Sequence, residues 1–524
     1  MNSDILNTIR ESGLLLEKEI FDILESIQDK KIAQVFLENL VRFSGQKLIT
    51  KSTLSNNIEY VQQILGQLSG EDKLSIENVF IKLGIKFEIR KEKINLSSAG
   101  IENINPQTSS YRLFYSSTLP SKKIEVSDFI NHFRSRYQQL QRILMQRQDL
   151  TNLCSINKIS SERQQLSIIG IVNEKRQTKN KNLIISLEDL TGKISGLVKL
   201  ERLEVFNKAR ELQLDDVVAV KASGNRDIIF IHDIYFPDAF LLEKSKFEQD
   251  ISIAFLSDVH CGSDRHLYKS FERFLEWINS DEESAKKIKY LFFSGDNVDG
   301  VGIFPGQEQV LALKSMKEQY SLLASYMKRI PKNIIIFMCP GQHDATRVAE
   351  PQPLIDRYYG SPLYEIENLV LVTNPSLVKL YEQDKEFKVL MYHGASIHSF
   401  INEIPELREM KAHRSPAKAV RHMLKRRHLA PTHSSVIYIP NAEKDPLVIE
   451  EVPDVLCTGE VHRLDIENYN GTLIITGSCW QAQTEFEEKV GNIPEPAKVP
   501  VLNLKTRELK VYDFGVEEEI NRAY

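Results

Sequence analysis

Five short segments carry side chains able to hold metal ions. They read Asp258-Val259-His260, Gly295-Asp296-Asn297-Val298-Asp299, Gly341-Gln342-His343-Asp344, Tyr392-His393-Gly394 and Gly459-Glu460-Val461-His462. Each follows an apolar run of strand type, so each delivers Asp, His, Gln or Glu from a loop seated on a rigid strand. One D-x-H triplet says little; five such segments in order, all at strand ends, are specific. Phosphodiester cleavage asks for this mixture. The substrate is an anion, and attack on it needs charge neutralisation plus a hydroxide at neutral pH. Two divalent ions roughly 3.5–4 Å apart supply both. A carboxylate must bridge them, with imidazoles and further oxygens completing each shell. Mixed His and oxygen ligands suit Mn2+, Fe2+ or Zn2+ better than Mg2+ alone.

The elements that position these loops alternate. Strand runs at 251–256, 290–293, 333–338, 389–392, 455–456 and 473–476 are interspersed with helical candidates at 271–279 and 309–329. That is an α/β pattern, in which ligands bind beyond the carboxyl ends of strands. Upstream, strands at 166–172, 183–187 and 194–198, a helix at 203–212 and strands at 217–221 and 228–235 have the layout of a five-stranded OB barrel. Its first hairpin loop carries Lys175, Arg176, Lys179 and Lys181, candidates for DNA backbone contact or a solvated turn, without an aromatic stacking platform. A helix at 126–146 has Phe129, Phe133, Tyr137, Leu140 and Leu144 on one stripe; Arg134, Arg136, Arg142 and Arg147 read as its solvated face. Residues 3–70 read as a small helical docking unit, and 94–122 have linker composition. The expected division is a helical N-terminal domain (1–75), a linker region (76–125), a connecting helix (126–160), the OB-fold domain (161–245) and the metal-bearing domain (246–524).

Composition bounds the rest. The 524 residues are 42% hydrophobic and 27% charged, which excludes collagenous, low-complexity and wholly disordered chains. Lys and Arg number 67 against 72 Asp and Glu, a net charge of −5, so any nucleic-acid site is a local basic patch. Five scattered cysteines with no C-x-x-C pair argue against a disulfide framework or structural zinc and fit the cytoplasm. No apolar run approaches the ~18 residues of a membrane span, and no secretory signal is visible.

The five segments resemble the calcineurin-like metallophosphoesterase signature D-x-H, G-D-x-x-D, G-N-H-D, H and G-H-x-H. From the barrel onward the chain resembles, more narrowly, the small subunit of archaeal family-D DNA polymerases, an OB domain followed by such a phosphoesterase domain. The strings that carry this are residues 295–307 (GDNVDGVGIFPGQ), 423–431 (MLKRRHLAP), 448–454 (VIEEVPD) and 480–484 (WQAQT). The resemblance implies two divalent ions, Mn2+ first and Mg2+ second. Asp258, His260 and His462 would hold one ion, His393 the other, and Asp296 would bridge. His343 would be the catalytic histidine, orienting the phosphate or protonating the leaving sugar oxygen. The implied reaction is 3′→5′ exonucleolytic removal of a mismatched nucleotide. The implied partners are a large polymerising subunit and primer–template DNA. A sliding clamp stays open as a further partner, although no clear clamp-binding string is present.

Two positions depart from the family pattern. Gln342 stands for Asn, and Glu460 stands for the first His of G-H-x-H; both belong to the second ion's set. Gln can still ligate through its carbonyl. Glu brings a charged oxygen, which favours Mg2+ or Mn2+ over Zn2+. The second site then keeps its metal with altered preference, holds none and leaves a slow one-metal centre, or is a relic in a non-catalytic scaffold subunit. A stand-alone phosphatase or cyclic-nucleotide phosphodiesterase is disfavoured by the barrel and the subunit-specific strings. The basic segment with Arg421, Lys425, Arg426 and Arg427 either steers DNA or is pinned to the large subunit or to acidic neighbours. His398, His413 and His433 read as structural, Trp480 and Phe486 as packing residues or base platforms, and Cys261, Cys339, Cys457 and Cys479 as small buried residues.

Overall fold

The computed structural model describes residues 15–17, 48–49, 110–115 and 123–520. The chain divides into two compact units, Met1–Ser97 and Ser98–Tyr524. In the first, Leu15–Leu16 pairs in parallel with Leu48–Ile49. The helices expected over residues 1–75 otherwise lie outside the described residues.

The second unit begins with strand β1 (Tyr111–Tyr115) and helix α1 (Val126–Met145). Strands β2 (Gln164–Gln177), β3 (Leu183–Asp189) and β4 (Gly192–Val198) follow, then helix α2 (Leu203–Glu211) and strands β5 (Val217–Gly224) and β6 (Ile229–Tyr235). The five strands close into a barrel in the order β2-β3-β4-β6-β5. Alternation drives closure: Leu183, Ile185 and Leu187 point inward while their neighbours are part-exposed. The β3–β4 turn is fixed by Asp189, whose carboxylate accepts from the backbone N–H of Thr191 and Gly192 at 2.7 and 3.0 Å.

The remainder is four-layered. Strands β7 (Ser252–Leu256), β8 (Ile288–Ser294), β9 (Ile335–Cys339) and β10 (Leu369–Leu371) are parallel neighbours, with helices α3 (Tyr268–Ile278) and α4 (Met316–Met327) between them in sequence. Strands β11 (Ser376–Glu382) and β12 (Lys385–Met391), helices α5 (Ile397–Glu403) and α6 (Ala417–Arg426), and strands β13 (Val455–Thr458), β14 (Asp465–Tyr469) and β15 (Thr472–Thr476) come next. Helix α7 (Glu485–Val490) and strands β16 (Lys498–Asn503) and β17 (Leu509–Asp513) complete the order. The two six-stranded sheets run β10-β9-β8-β7-β16-β17 and β14-β15-β13-β12-β11-β1. Phe255, Phe292 and Phe337 of the first meet Val389, Val455 and Ile475 of the second in a shared core. The outer face of the first sheet is covered by α3 and α4 through Phe271, Phe274, Leu323 and Met327. Residues Ile397, Phe400, Val420 and Leu424 of α5 and α6 cover the second. Central strands buried on both faces explain the unbroken apolar runs that precede the metal-type loops.

Two expectations change, and one open alternative is narrowed. Tyr111–Tyr115 falls in the stretch read as linker, yet it pairs antiparallel with β11 as an edge strand. Its alternation, with Tyr111 and Leu113 against the inter-sheet core and Arg112 and Phe114 exposed, was hidden among Ser, Asn and Pro. Arg136 is not on a solvated face. It is 1% exposed and donates to Asp445 at 2.6 Å, where His428 and His132 also converge at 3.0 and 3.2 Å. Of the alternatives for the basic segment, the structure favours pinning to acidic neighbours, with Arg426 and Arg427 buried and Arg421 and Lys425 half-buried. Arg426 is buried and donates to Asp216 at 2.9 Å, and Arg427 is buried against the carbonyls of Ile449 and Glu450. Lys425 pairs with Glu211, and Arg421 with Glu467 at 3.3 Å. A charge already desolvated and hydrogen-bonded to a protein carboxylate cannot also track a DNA backbone.

Candidate metal centre

Each metal-type loop leaves the carboxyl end of a parallel strand: Asp258 and His260 after β7, Asp296 after β8, His343 after β9, His393 after β12, and Glu460 and His462 after β13. Their ligand atoms converge. Asp258, His260 and His462 form one group, Asp258, Asp296 and His393 a second, and His260, Asp299 and His343 a third, with the atoms of each group within 4.8 Å of one another. Asp258 and Asp296 thus belong together, as a bridged pair of sites requires. Gln342 sits half-buried in the same loop as His343.

The backbone is bent to make this possible. Asp258, His260, Asp296, Glu460 and His462 have φ of 51°, 48°, 47°, 75° and 57°, a region that side-chain-bearing residues rarely adopt. The adjoining glycines make room. A Cβ on Gly459 or Gly341 would collide with Asp258 Oδ2 or Asp296 Oδ1.

Four imidazoles are tied through Nδ1, leaving Nε2 toward the centre. His393 Nδ1 donates to the Ser294 carbonyl at 2.9 Å and His343 Nδ1 to the Asp299 carbonyl at 2.6 Å. His260 Nδ1 lies 3.1 Å from Asp299 Oδ1, and His462 Nδ1 3.0 Å from Glu487 Oε1. With both Nδ1 atoms occupied as donors, the Nε2 atoms of His260 and His462 face one another 3.1 Å apart. Two lone pairs at that distance repel unless a proton or cation lies between them. His393 Nε2 is 3.3 Å from Asp296 Oδ2 and 3.1 Å from Glu460 Oε2. Buried Asp258 Oδ2 and His393 Nε2 have no hydrogen-bond partner. Unpartnered buried acceptors, paired imidazoles and two carboxylates with oxygens within 4.8 Å of each other are the donor set of a divalent-cation site, and these residues fit it.

The electrostatics agree. Burial pushes the Asp258 carboxyl up in pKa despite His462 and His393. Burial also opposes ionisation of Asp296, but His393 and His343 beside it hold its carboxyl well below the usual range. Burial disfavours the His343 imidazolium, and Asp296 and the Asp299 carbonyl outweigh it, raising its pKa.

Several residues at the centre were not assigned by sequence reasoning. Asp299 ties His260 and is itself held by Gln307 and Gln481, each at 3.1 Å. Its signal was the second Asp of G-D-x-x-D. Glu487, which ties His462, was visible only as the end of a T-x-x-E helix start at Thr484. His398, read as structural, lies in the first turn of α5, 3.6 Å from Glu460. His433 bonds Tyr438 at 2.7 Å. Trp480 is buried on Phe271, with ring centres 4.7 Å apart, and the Phe486 side chain lies outside the described residues. Of the barrel residues, Lys175 is half-buried and donates to the carbonyls of Arg210 and Leu212, which removes it from DNA contact; Arg176, Lys179 and Lys181 are exposed. Cys261, Cys339, Cys457 and Cys479 are free and buried. Among the described residues no helix is long and apolar enough to cross a membrane.

The chain is similar in sequence to known proteins. Residues 253–464 match the family of B-type subunits of DNA polymerase alpha/epsilon. A DNA polymerase II small subunit of Pyrococcus furiosus is 37% identical over 405 residues, covering 75% of this chain and 64% of its own. Those of Methanothermobacter thermautotrophicus (38% over 385 residues; 72% and 78%) and Thermoplasma acidophilum (34% over 406 residues; 76% and 81%) are similar over more of their length. The chain thus spans less than two thirds of its Pyrococcus relatives.

Proposed function

The chain belongs to the family of archaeal DNA polymerase II (family D) small subunits, and from that premise we propose that it is a metal-dependent 3′→5′ exonuclease acting on primer–template DNA alongside a large polymerising subunit. The five-stranded barrel is taken as its OB domain and residues 246–524 as a calcineurin-like phosphoesterase domain. One observation carries the reading: seven side chains of metal-ligand type, delivered by the loops after five strands, meet in overlapping groups, with buried Asp258 Oδ2 and His393 Nε2 left without hydrogen-bond partners.

Asp258, His260 and His462 would hold one ion, His393 and Glu460 the other with Gln342, and Asp296 would bridge. When bound, the ions neutralise the phosphate and lower the pKa of a water. His343 is the proton donor in this reading. Its Nδ1–H is committed to the Asp299 carbonyl, so Nε2, 3.9 Å from Asp296 Oδ2, is the atom free to pass a proton to the leaving 3′ oxygen. Asp299 fixes two imidazoles at once, His260 through its carboxylate and His343 through its carbonyl.

The departure Glu460 keeps a scaffold reading in play, in which the domain only anchors the large subunit. A Mn2+-dependent nuclease assay on a 3′-mismatched primer separates the two, with Asp296→Ala as control. We expect cleavage by the wild type and background with the variant. Wild-type cleavage no faster than Asp296→Ala decides for the scaffold.

A further inference from the structure

Each imidazole at the centre is held from behind by one defined group: Asp299, the Asp299 carbonyl, the Ser294 carbonyl or Glu487. Glu460 stands where the signature has a further imidazole. An imidazole tied through one nitrogen presents one ligand atom in one orientation. A carboxylate has two equivalent oxygens on a flexible stem, so it can rotate, chelate through both oxygens or take up a proton.

At Glu460 the two oxygens are not equivalent. Oε2 lies 3.1 Å from His393 Nε2, on the side of Asp296. Oε1 is turned the other way, 3.6 Å from His398 Nε2. The Glu460 backbone N–H is also fixed, donating to Asp258 Oδ1 at 3.1 Å. His398 reaches this place because the chain turns sharply after His393: Gly394 has φ 121°, and its carbonyl accepts from Ile397 at 2.8 Å, which starts α5. The His398 side chain is 43% exposed, and its ring packs 5.5 Å from that of His413 with planes 32° apart. The imidazole that this loop lacks at position 460 therefore has a counterpart one layer out, on the solvent side of the carboxylate.

We propose that His398 is a positioning residue. It ties Glu460 Oε1 and so makes Glu460 a one-oxygen anionic ligand for the ion held with His393. The proposal rests on the metal-centre reading above. A single charged oxygen at this corner, where the signature has a neutral nitrogen, suits Mn2+ or Mg2+ and not the softer Zn2+.

Mn2+ titration of the full-length chain, followed by the electron paramagnetic resonance of free Mn2+, tests it without reference to nuclease activity. The wild type should bind two ions. His398→Ala should weaken one of them by about 10–100-fold and leave the other unchanged, the usual effect of removing a group that orients a ligand. His398→Gln, whose amide can still donate to a carboxylate, should recover most of that loss. In a Glu460→His background, His398→Ala should have no effect. Unchanged binding of both ions in His398→Ala overturns the proposal, as does a loss that persists alongside Glu460→His, or a wild type with one site. Asp296→Ala keeps the two readings apart. If it binds Mn2+ like the wild type, the metal centre itself is wrong; if it loses binding while His398→Ala does not, only the role of His398 falls.

Discussion

Asp445 and Asp296 are both fully buried carboxylates ringed by histidines, and the chain treats them differently. Around Asp445 every valence is closed. Oδ2 accepts from Arg136 at 2.6 Å and His428 at 3.0 Å, and Oδ1 accepts from the Leu447 N–H at 2.9 Å. His428, pushed down to about 4 by burial, is neutral and accepts from Ala430 through its other nitrogen. Around Asp296 only Oδ1 is closed, accepting from the His343 backbone N–H at 2.8 Å; the partners of Oδ2 stop short, 3.3 Å away at His393 Nε2, which has no hydrogen bond, and 3.9 Å away at His343 Nε2. The first cluster bolts α1 to the loop before β13. The second is held open by strained backbone. Residue types alone do not separate a structural charge cluster from a functional one; unfilled coordination does.

That contrast can be broken from either side. Replacing a member of the open cluster should cost chemistry and not stability. We expect His343→Ala to lower the single-turnover cleavage rate by about 10²–10⁴-fold, the range for a lost general acid, with the unfolding midpoint unmoved. A variant that cleaves normally removes His343 from the reaction. The closed cluster should behave in the opposite sense. Arg136→Ala leaves Asp445 with a buried, uncompensated charge and should cost about 3–5 kcal/mol in denaturant unfolding while Mn2+ binding persists. A loss under about 1 kcal/mol would mean that the cluster relaxes by protonation.

Glu350 sharpens the comparison, because it is buried with an unpartnered Oε1 yet lies outside all three ligand groups. Burial pushes its pKa from 4.5 up to about 8, with Tyr392 OH donating to its other oxygen at 3.2 Å. The folded state therefore holds a proton that the unfolded state has released. Stability contributed by the neutral form is complete below about pH 4.5 and is lost as pH rises to about 8. Glu350→Gln should flatten that decline, and thermal unfolding at pH 5 and pH 8 should differ less in the variant by a few kcal/mol. An unchanged pH slope would show that Glu350 is ionised in the fold.

What was legible in the sequence follows the range of the interactions. The five metal-type loops were readable because each ligand sits two to four residues beyond a strand buried on both faces, and such strands are unbroken apolar runs. The barrel order was readable for the same local reason, from alternation and turns such as the one at Asp189. The residue read as solvated and the one left between two alternatives have partners far away in sequence. Arg136 meets Asp445, and Arg426 meets Asp216, across 309 and 210 positions. No local pattern distinguishes an arginine that will be buried by a distant carboxylate from one that will be solvated. Glu487 was hidden differently: a Glu three residues after Thr484 is the local pattern of a helix start, and nothing in it announces a tie to His462.

The left-handed turns at Asp258, His260, Asp296, Glu460 and His462 also limit how this centre could fade over evolutionary time. Branched replacements such as Val, Ile or Thr are sterically penalised there, whereas Asn and Gly are tolerated. A lineage abandoning the chemistry thus has the β-branched residues closed to it at these five positions, as at every other left-handed position described in this chain. Descendants that kept the shape and lost the reaction would carry that signature in their loops.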